Sequence, residues 1–118
     1  MAVSLLTNSS TYGAVAINNQ TANYTFALTD ANNALVTMNV ASANTLTIPP
    51  NSSVAFPVGT VLNFAQTGAG QTTITQGSGV TITSWGATAS APKSRVQYSA
   101  GSCIQTSANN WLVIGDIA

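Results

Sequence analysis

Short runs in which apolar and polar side chains alternate, each bounded by Gly, Pro, Asn or Ser, give this chain one economical way to bury a face. They form strands, because a period of two puts every second side chain on the same side of an extended backbone. Many of the alternating positions are β-branched or aromatic, which suits a pleated, half-buried surface. Read in order, the runs are Ala14-Val15-Ala16-Ile17, Tyr24 to Thr29, Leu35 to Val40, Thr45-Leu46-Thr47-Ile48, Thr60 to Gln66, Thr72-Thr73-Ile74-Thr75, Val80-Thr81-Ile82-Thr83, Arg95-Val96-Gln97-Tyr98, Ser102 to Thr106 and Trp111 to Gly115. In the run Thr60–Gln66, Val61, Asn63 and Ala65 fall on one face and Leu62, Phe64 and Gln66 on the other. No helical period is present.

The breaks between runs have their own chemistry. Asp30-Ala31-Asn32-Asn33 reads as a turn, since Asp and Asn bond their own backbone and tolerate left-handed conformations. Pro49-Pro50 ends a strand because neither residue can donate to a ladder. Gly77-Ser78-Gly79 predicts a tight hairpin between the runs at 72–75 and 80–83. Ser99-Ala100-Gly101 predicts a second strand pair, and Asn109-Asn110 turns the chain into its closing strand. Eight to ten short strands at this spacing predict an all-β domain, a small antiparallel β-sandwich or barrel with jelly-roll-like connections. Similar Thr-rich runs at 45–48, 72–75 and 80–83 are unequally spaced, so they read as strand chemistry and not as a solenoid repeat.

A chain of 118 residues supports one core, so one domain is expected. We place it at residues 23–118, preceded at residues 1–22 by a polar N-terminal arm with a few apolar positions, Val3, Leu5 and Leu6 among them. Apolar runs such as Trp111 to Ile114 are far too short to span a bilayer, and the first residues lack the basic start and long apolar stretch of a secretion signal. A soluble chain that stays where it is made is the expectation.

Charge narrows the function. Two basic and two acidic residues, no histidine and 3% charged residues overall stand against about a quarter in ordinary domains. Near neutrality removes the repulsion that keeps monomers apart, and Thr, Ser, Asn and Gln supply a hydrogen-bonding surface without net charge. Such a chain suits an assembly component. Lys93 and Arg95 are too few to neutralise a run of phosphates or to hold an anionic membrane, so neither nucleic acid nor membrane is an expected partner.

Catalysis needs groups that move protons, attack or hold metal. With no His and no Glu, only Asp30 and Asp116 are available as carboxylates, the first in a turn and the second near the end. No ligand spacing supports a metal, Gly68-Ala69-Gly70 lacks the Lys and helix of a phosphate loop, and no cofactor is expected. Cys103 is the single cysteine, in an alternating run where a buried, unreactive position is natural. Sequons at Asn8, Asn19, Asn23 and Asn51 are no more than this composition gives by chance. We therefore expect a non-enzymatic protein. Its candidate contact residues are Val3, Leu5 and Leu6 of the arm, Trp85 at the edge of the Ala- and Ser-rich 85–92 loop, and the cations Lys93 and Arg95.

At Ala43-Asn44-Thr45-Leu46-Thr47-Ile48-Pro49-Pro50 the chain resembles a β-module of bacteriophage structural proteins. The resemblance runs through Leu28-Thr29-Asp30-Ala31-Asn32, Phe56-Pro57-Val58-Gly59-Thr60, Gly68 to Ile74, Gly77 to Ile82, Gln97-Tyr98-Ser99 and Asn109 to Asp116, covering about residues 23–117. It departs in the loop from Trp85 to Pro92. Such modules occur in tail-fibre and appendage proteins and in small separate virion proteins, so the resemblance implies a virion part. A fibre needs a shaft for which this length leaves no room. The expectation is a capsid decoration, or cement, protein: a homotrimer on the outer capsid surface, made in the host cytoplasm and bound to the major capsid protein. The alternative is a receptor-binding tip in which Trp85 stacks on a host glycan, or a baseplate or tail adaptor subunit.

Overall fold

The computed structural model describes residues 14–84, 87 and 90–118. Among them the chain forms nine strands: β1 (Ala16–Gln20), β2 (Tyr24–Thr25), β3 (Ala34–Met38), β4 (Asn44–Ile48), β5 (Val61–Gln66), β6 (Thr72–Gln76), β7 (Thr81–Ser84), β8 (Ala100–Ser107) and β9 (Asn110–Gly115). A short 3-10 turn at Leu28–Ala31 lies between β2 and β3. The strands make a six-stranded sheet in the order β1-β3-β5-β8-β9-β7 and a three-stranded sheet in the order β2-β4-β6. The mostly-β, two-sheet reading holds.

Antiparallel pairing does not dominate. Five of the seven strand pairings are parallel, and only β5–β8 and β8–β9 are antiparallel. From β1 to β6 the chain alternates between the sheets, so each circuit lays one strand on each sheet beside the strand of the circuit before. The second and third circuits stack in one register: Leu35 lies beside Asn63 and Leu46 beside Ile74. Both pairs are separated by 28 positions (63 − 35 and 74 − 46). The connecting turns stack at the same offset, where Gly70 N–H donates to the carbonyl of Val40 at 2.8 Å and a Cβ on Gly70 would overlap the backbone of Ser42. This is a short solenoid, contrary to the sequence expectation.

The expected hairpin at Gly77-Ser78-Gly79 is likewise a crossing between sheets. Gly79 takes a positive φ (81°), as a tight turn would require, but β6 belongs to the three-stranded sheet and β7 to the six-stranded one. Ile74 and Ile82 enter one core from opposite sides, and a hairpin would have placed them in the same sheet. The run Arg95–Tyr98 is a loop, and the run after Tyr24 stops at Thr25. In that second case the Asp30 carboxylate accepts the Ala27 N–H at 2.7 Å and bends the chain into the 3-10 turn.

Between the sheets lie Val36, Met38, Leu62, Phe64, Cys103, Trp111 and Val113 from one side and Leu46, Ile48 and Ile74 from the other. The rings of Phe56 and Trp111 meet edge to face, 5.6 Å apart. Residues 16–20, inside the segment expected as an arm, pair with β3 as the edge strand β1. Residues 1–13 lie outside the described residues.

Candidate functional site

Alternation gives the six-stranded sheet an outer face whose residues follow from its register. One row runs Ile17, Leu35, Asn63, Ser102, Ile114, and the next includes Val61, Ile104, Leu112 and Thr83. Ile17 is 61% exposed, and Val15, Val61 and Ile114 are exposed as well. A groove of about 400 Å³ crosses this side, lined among others by Val15, Leu35, Asn63, Ala100 and Ser102. No charged side chain stands in these rows. The outer side of the three-stranded sheet differs: Thr25, Thr47 and Thr75 stand side by side, and Thr45 lies beside Thr73. There the Thr47 and Thr75 hydroxyls bond each other at 2.7 Å and polar groups face outward, so the apolar side is the one that gains by being covered.

Charge is gathered elsewhere. Asp30 is buried, its carboxylate accepting hydrogen bonds from the Asn18 amide (2.8 Å), the Tyr24 hydroxyl (2.7 Å) and the Ala27 N–H. Burial, and then its bond to Asp30, pushes the Tyr24 phenol above its ordinary value. The remaining three charged residues, Lys93, Arg95 and Asp116, share one edge. Residues 93–95 run beside the end of the chain, Lys93 exchanging backbone hydrogen bonds with Ala118 and Arg95 N–H donating to the carbonyl of Asp116. The Arg95 guanidinium grips the Asp116 carboxylate through two bonds, 2.7 and 3.1 Å. That pairing, then the Ser99 hydroxyl, holds the Asp116 carboxyl below the usual carboxylate range, and the same pairing raises Arg95. Among the described residues Lys93 takes no ion pair.

From this edge the segment Arg95–Tyr98 projects as a ledge. It continues the β5–β8 ladder by one more step: Gln66 N–H donates to Ser99 at 2.9 Å and Tyr98 N–H donates to Gln66 at 2.6 Å. Val96 N–H donates to the Ser99 hydroxyl, the Gln97 amide to the carbonyl of Thr67, and the Ser99 hydroxyl to Asp116. Ser94, beneath it, is fully buried, its hydroxyl donating to the Gln66 side chain and accepting the Thr72 N–H.

Tyr98 sits at φ 71° with its side chain 74% exposed. Among the described residues the other non-glycine positions at positive φ are Asn33 and Asn109, which tolerate that region. A tyrosine there costs on the order of 1–2 kcal/mol, and the ladder and side-chain bonds around it hold it in place. A ring this exposed recovers little from the fold in return.

Of the contact residues expected from sequence, Lys93 and Arg95 are brought together on this edge, with Arg95 engaged by Asp116. Val3, Leu5, Leu6 and Trp85 lie outside the described residues. Tyr98 and the apolar outer rows were missed. The period-two signal at 95–98 hid a loop, and the outer rows emerge only once the strand partners are known. Cys103 is fully buried, and burial pushes its thiol far up. Comparison with family models, curated proteins and solved structures gave no match.

Proposed function

We propose that this chain is a structural component of a bacteriophage particle, a decoration protein held in many copies, as homotrimers, against the outer surface of the head. The uncharged outer face of the six-stranded sheet, with Ile17, Val61 and Ile114 exposed on it, carries the reading, because exposed apolar side chains gain by being covered and an uncharged face repels no neutral neighbour. The sequence resemblance to phage structural modules points the same way.

Magnitudes bear on how it would act. Six strands about 4.8 Å apart and roughly five residues of about 3.3 Å each give a face on the order of 400 Å². A standard stable contact takes about 800 Å² from each partner. One such face is therefore a weak contact, and binding gains from repetition over a lattice of sites or from a second contact beside it. Neutral contacts of this kind also change little with salt.

Counting copies per purified particle tests the reading. Hundreds of copies are expected, and particles lacking the chain should release DNA at lower temperature than complete ones. A few to some dozens of copies, with equal heat stability of the two particles, would move the chain to the tail.

A further inference from the structure

We infer that the ledge Arg95–Tyr98, with Lys93 beside it on the same edge, is the anchoring contact of this protein, Tyr98 inserting into an apolar recess of a partner protein's surface and Lys93 meeting a carboxylate near that recess. The inference rests on the decoration reading for the identity of that partner, the shell protein of the head.

Tyr98 holds a backbone conformation that a bulky residue avoids, yet its ring gives the fold little, being mostly exposed. Residues kept in such conformations gather where a side chain must be aimed outward. The hydrogen bonds on either side of Tyr98 supply rigidity, so the ring is presented without the ordering loss a floppy loop suffers on binding. Tyr and Arg are the residue types over-represented among energetic anchors.

What the ledge leaves unengaged identifies its partner. The Gln97 amide is engaged by Thr67, the Arg95 guanidinium by Asp116 and the Ser99 hydroxyl by Asp116. Among the described residues the groups that remain are the half-exposed Val96, the Tyr98 ring with its hydroxyl, and the ammonium of the partly buried Lys93. A sugar site needs several convergent polar groups around its aromatic platform, and here they are already used. An apolar side chain, a ring and one cation fit a protein surface that combines a recess with a carboxylate. The ledge also adjoins the end of the apolar outer face at Ala65 and Ala100, so both can meet one partner.

The test separates strain from binding. Asn keeps the left-handed backbone without the ring, so Tyr98→Asn should melt at the same temperature as the parent or a few degrees higher. Its binding to purified heads that lack the chain, measured by co-sedimentation, should weaken at least tenfold. Lys93→Gln should weaken binding a few-fold and flatten its dependence on salt between about 50 and 500 mM. Unchanged binding of Tyr98→Asn overturns the inference and leaves the decoration reading standing, as does a fall in melting temperature of more than about 5 °C, which would make the ring part of the fold. Failure of the parent chain to bind heads at all overturns the decoration reading and with it this partner. Binding to host-cell polysaccharide that is lost in Tyr98→Asn overturns the choice of a protein surface.

Discussion

Two buried residues show how single side chains set conditions on this fold. Asp30 is the lone acid in the core, and its carboxylate is satisfied by Asn18, Tyr24 and Ala27 without any cation. Replacing it by Ala strands those donors, so Asp30→Ala should lose about 2–3 kcal/mol of stability by urea unfolding, while Asp30→Asn, which still accepts hydrogen bonds, should lose less. Cys103 gives a prediction with a definite sign. Its thiol stays neutral in the fold but ionises in the unfolded chain above about pH 9, the ordinary value. The unfolded state then binds fewer protons than the native one, so stability is intact below pH 9 and falls above it, by up to about 1.4 kcal/mol per pH unit. Tyr24, shifted in the same direction, adds to the loss above pH 10. Urea unfolding between pH 8 and 10.5 should show this slope, and Cys103→Ala should flatten its first part. At the acid end the exposed Arg95–Asp116 pair contributes above the usual carboxylate value near 3.8 and is lost as pH falls through the lower native one. Exposure keeps that contribution small.

At the scale of elements, the fold depends on circuits that stack closely enough for main chain to touch main chain. Gly68 and Gly70 lie against the backbone of Val40 and Ser42, where an added Cβ has no room. Gly70→Ala should therefore cost about 3 kcal/mol or more in urea unfolding, whereas Gly59→Ala, at a positive φ with open space around it, should cost only about 1 kcal/mol. The turn is also tied by side chains: Asn44 donates to the exposed Ser42 and to Gly70, and the Thr72 hydroxyl donates back to Asn44, the last two bonds being buried. The strands themselves were legible in the sequence, down to the faces of β5. Their partners were not. Where residues 35–48 stack on 63–76, only Ala41/Ala69, Thr45/Thr73 and Thr47/Thr75 are identical, and the first circuit stacks at a different offset, Ile17 beside Leu35.

For the whole molecule, the two outer faces divide the labour: a threonine face suited to water and an apolar, uncharged face suited to cover. Placing charge on the apolar side by the double change Ile17→Asp and Val61→Asp should leave the melting temperature within about 2–3 °C, because both side chains are exposed in the isolated chain. The same change should cut the number of copies retained per particle. Retention equal to that of the parent would show that this face is not covered on the particle.

Strand class, most of the strand limits, the buried alternation and the scarcity of charge are all legible in the order of residues. A period of two is local and states which side of a strand is apolar. It says nothing about which strand lies alongside, because parallel and antiparallel neighbours bury the same side chains. Only the tertiary structure decided the alternation between two sheets, the stacked circuits and the crossing at Gly77–Gly79. The same holds for the candidate site. Lys93 and Arg95 were visible as the only cations, but the exposed ring of Tyr98 and its left-handed backbone arise from the ladder to Gln66, a contact 32 residues distant (98 − 66) that no local pattern encodes.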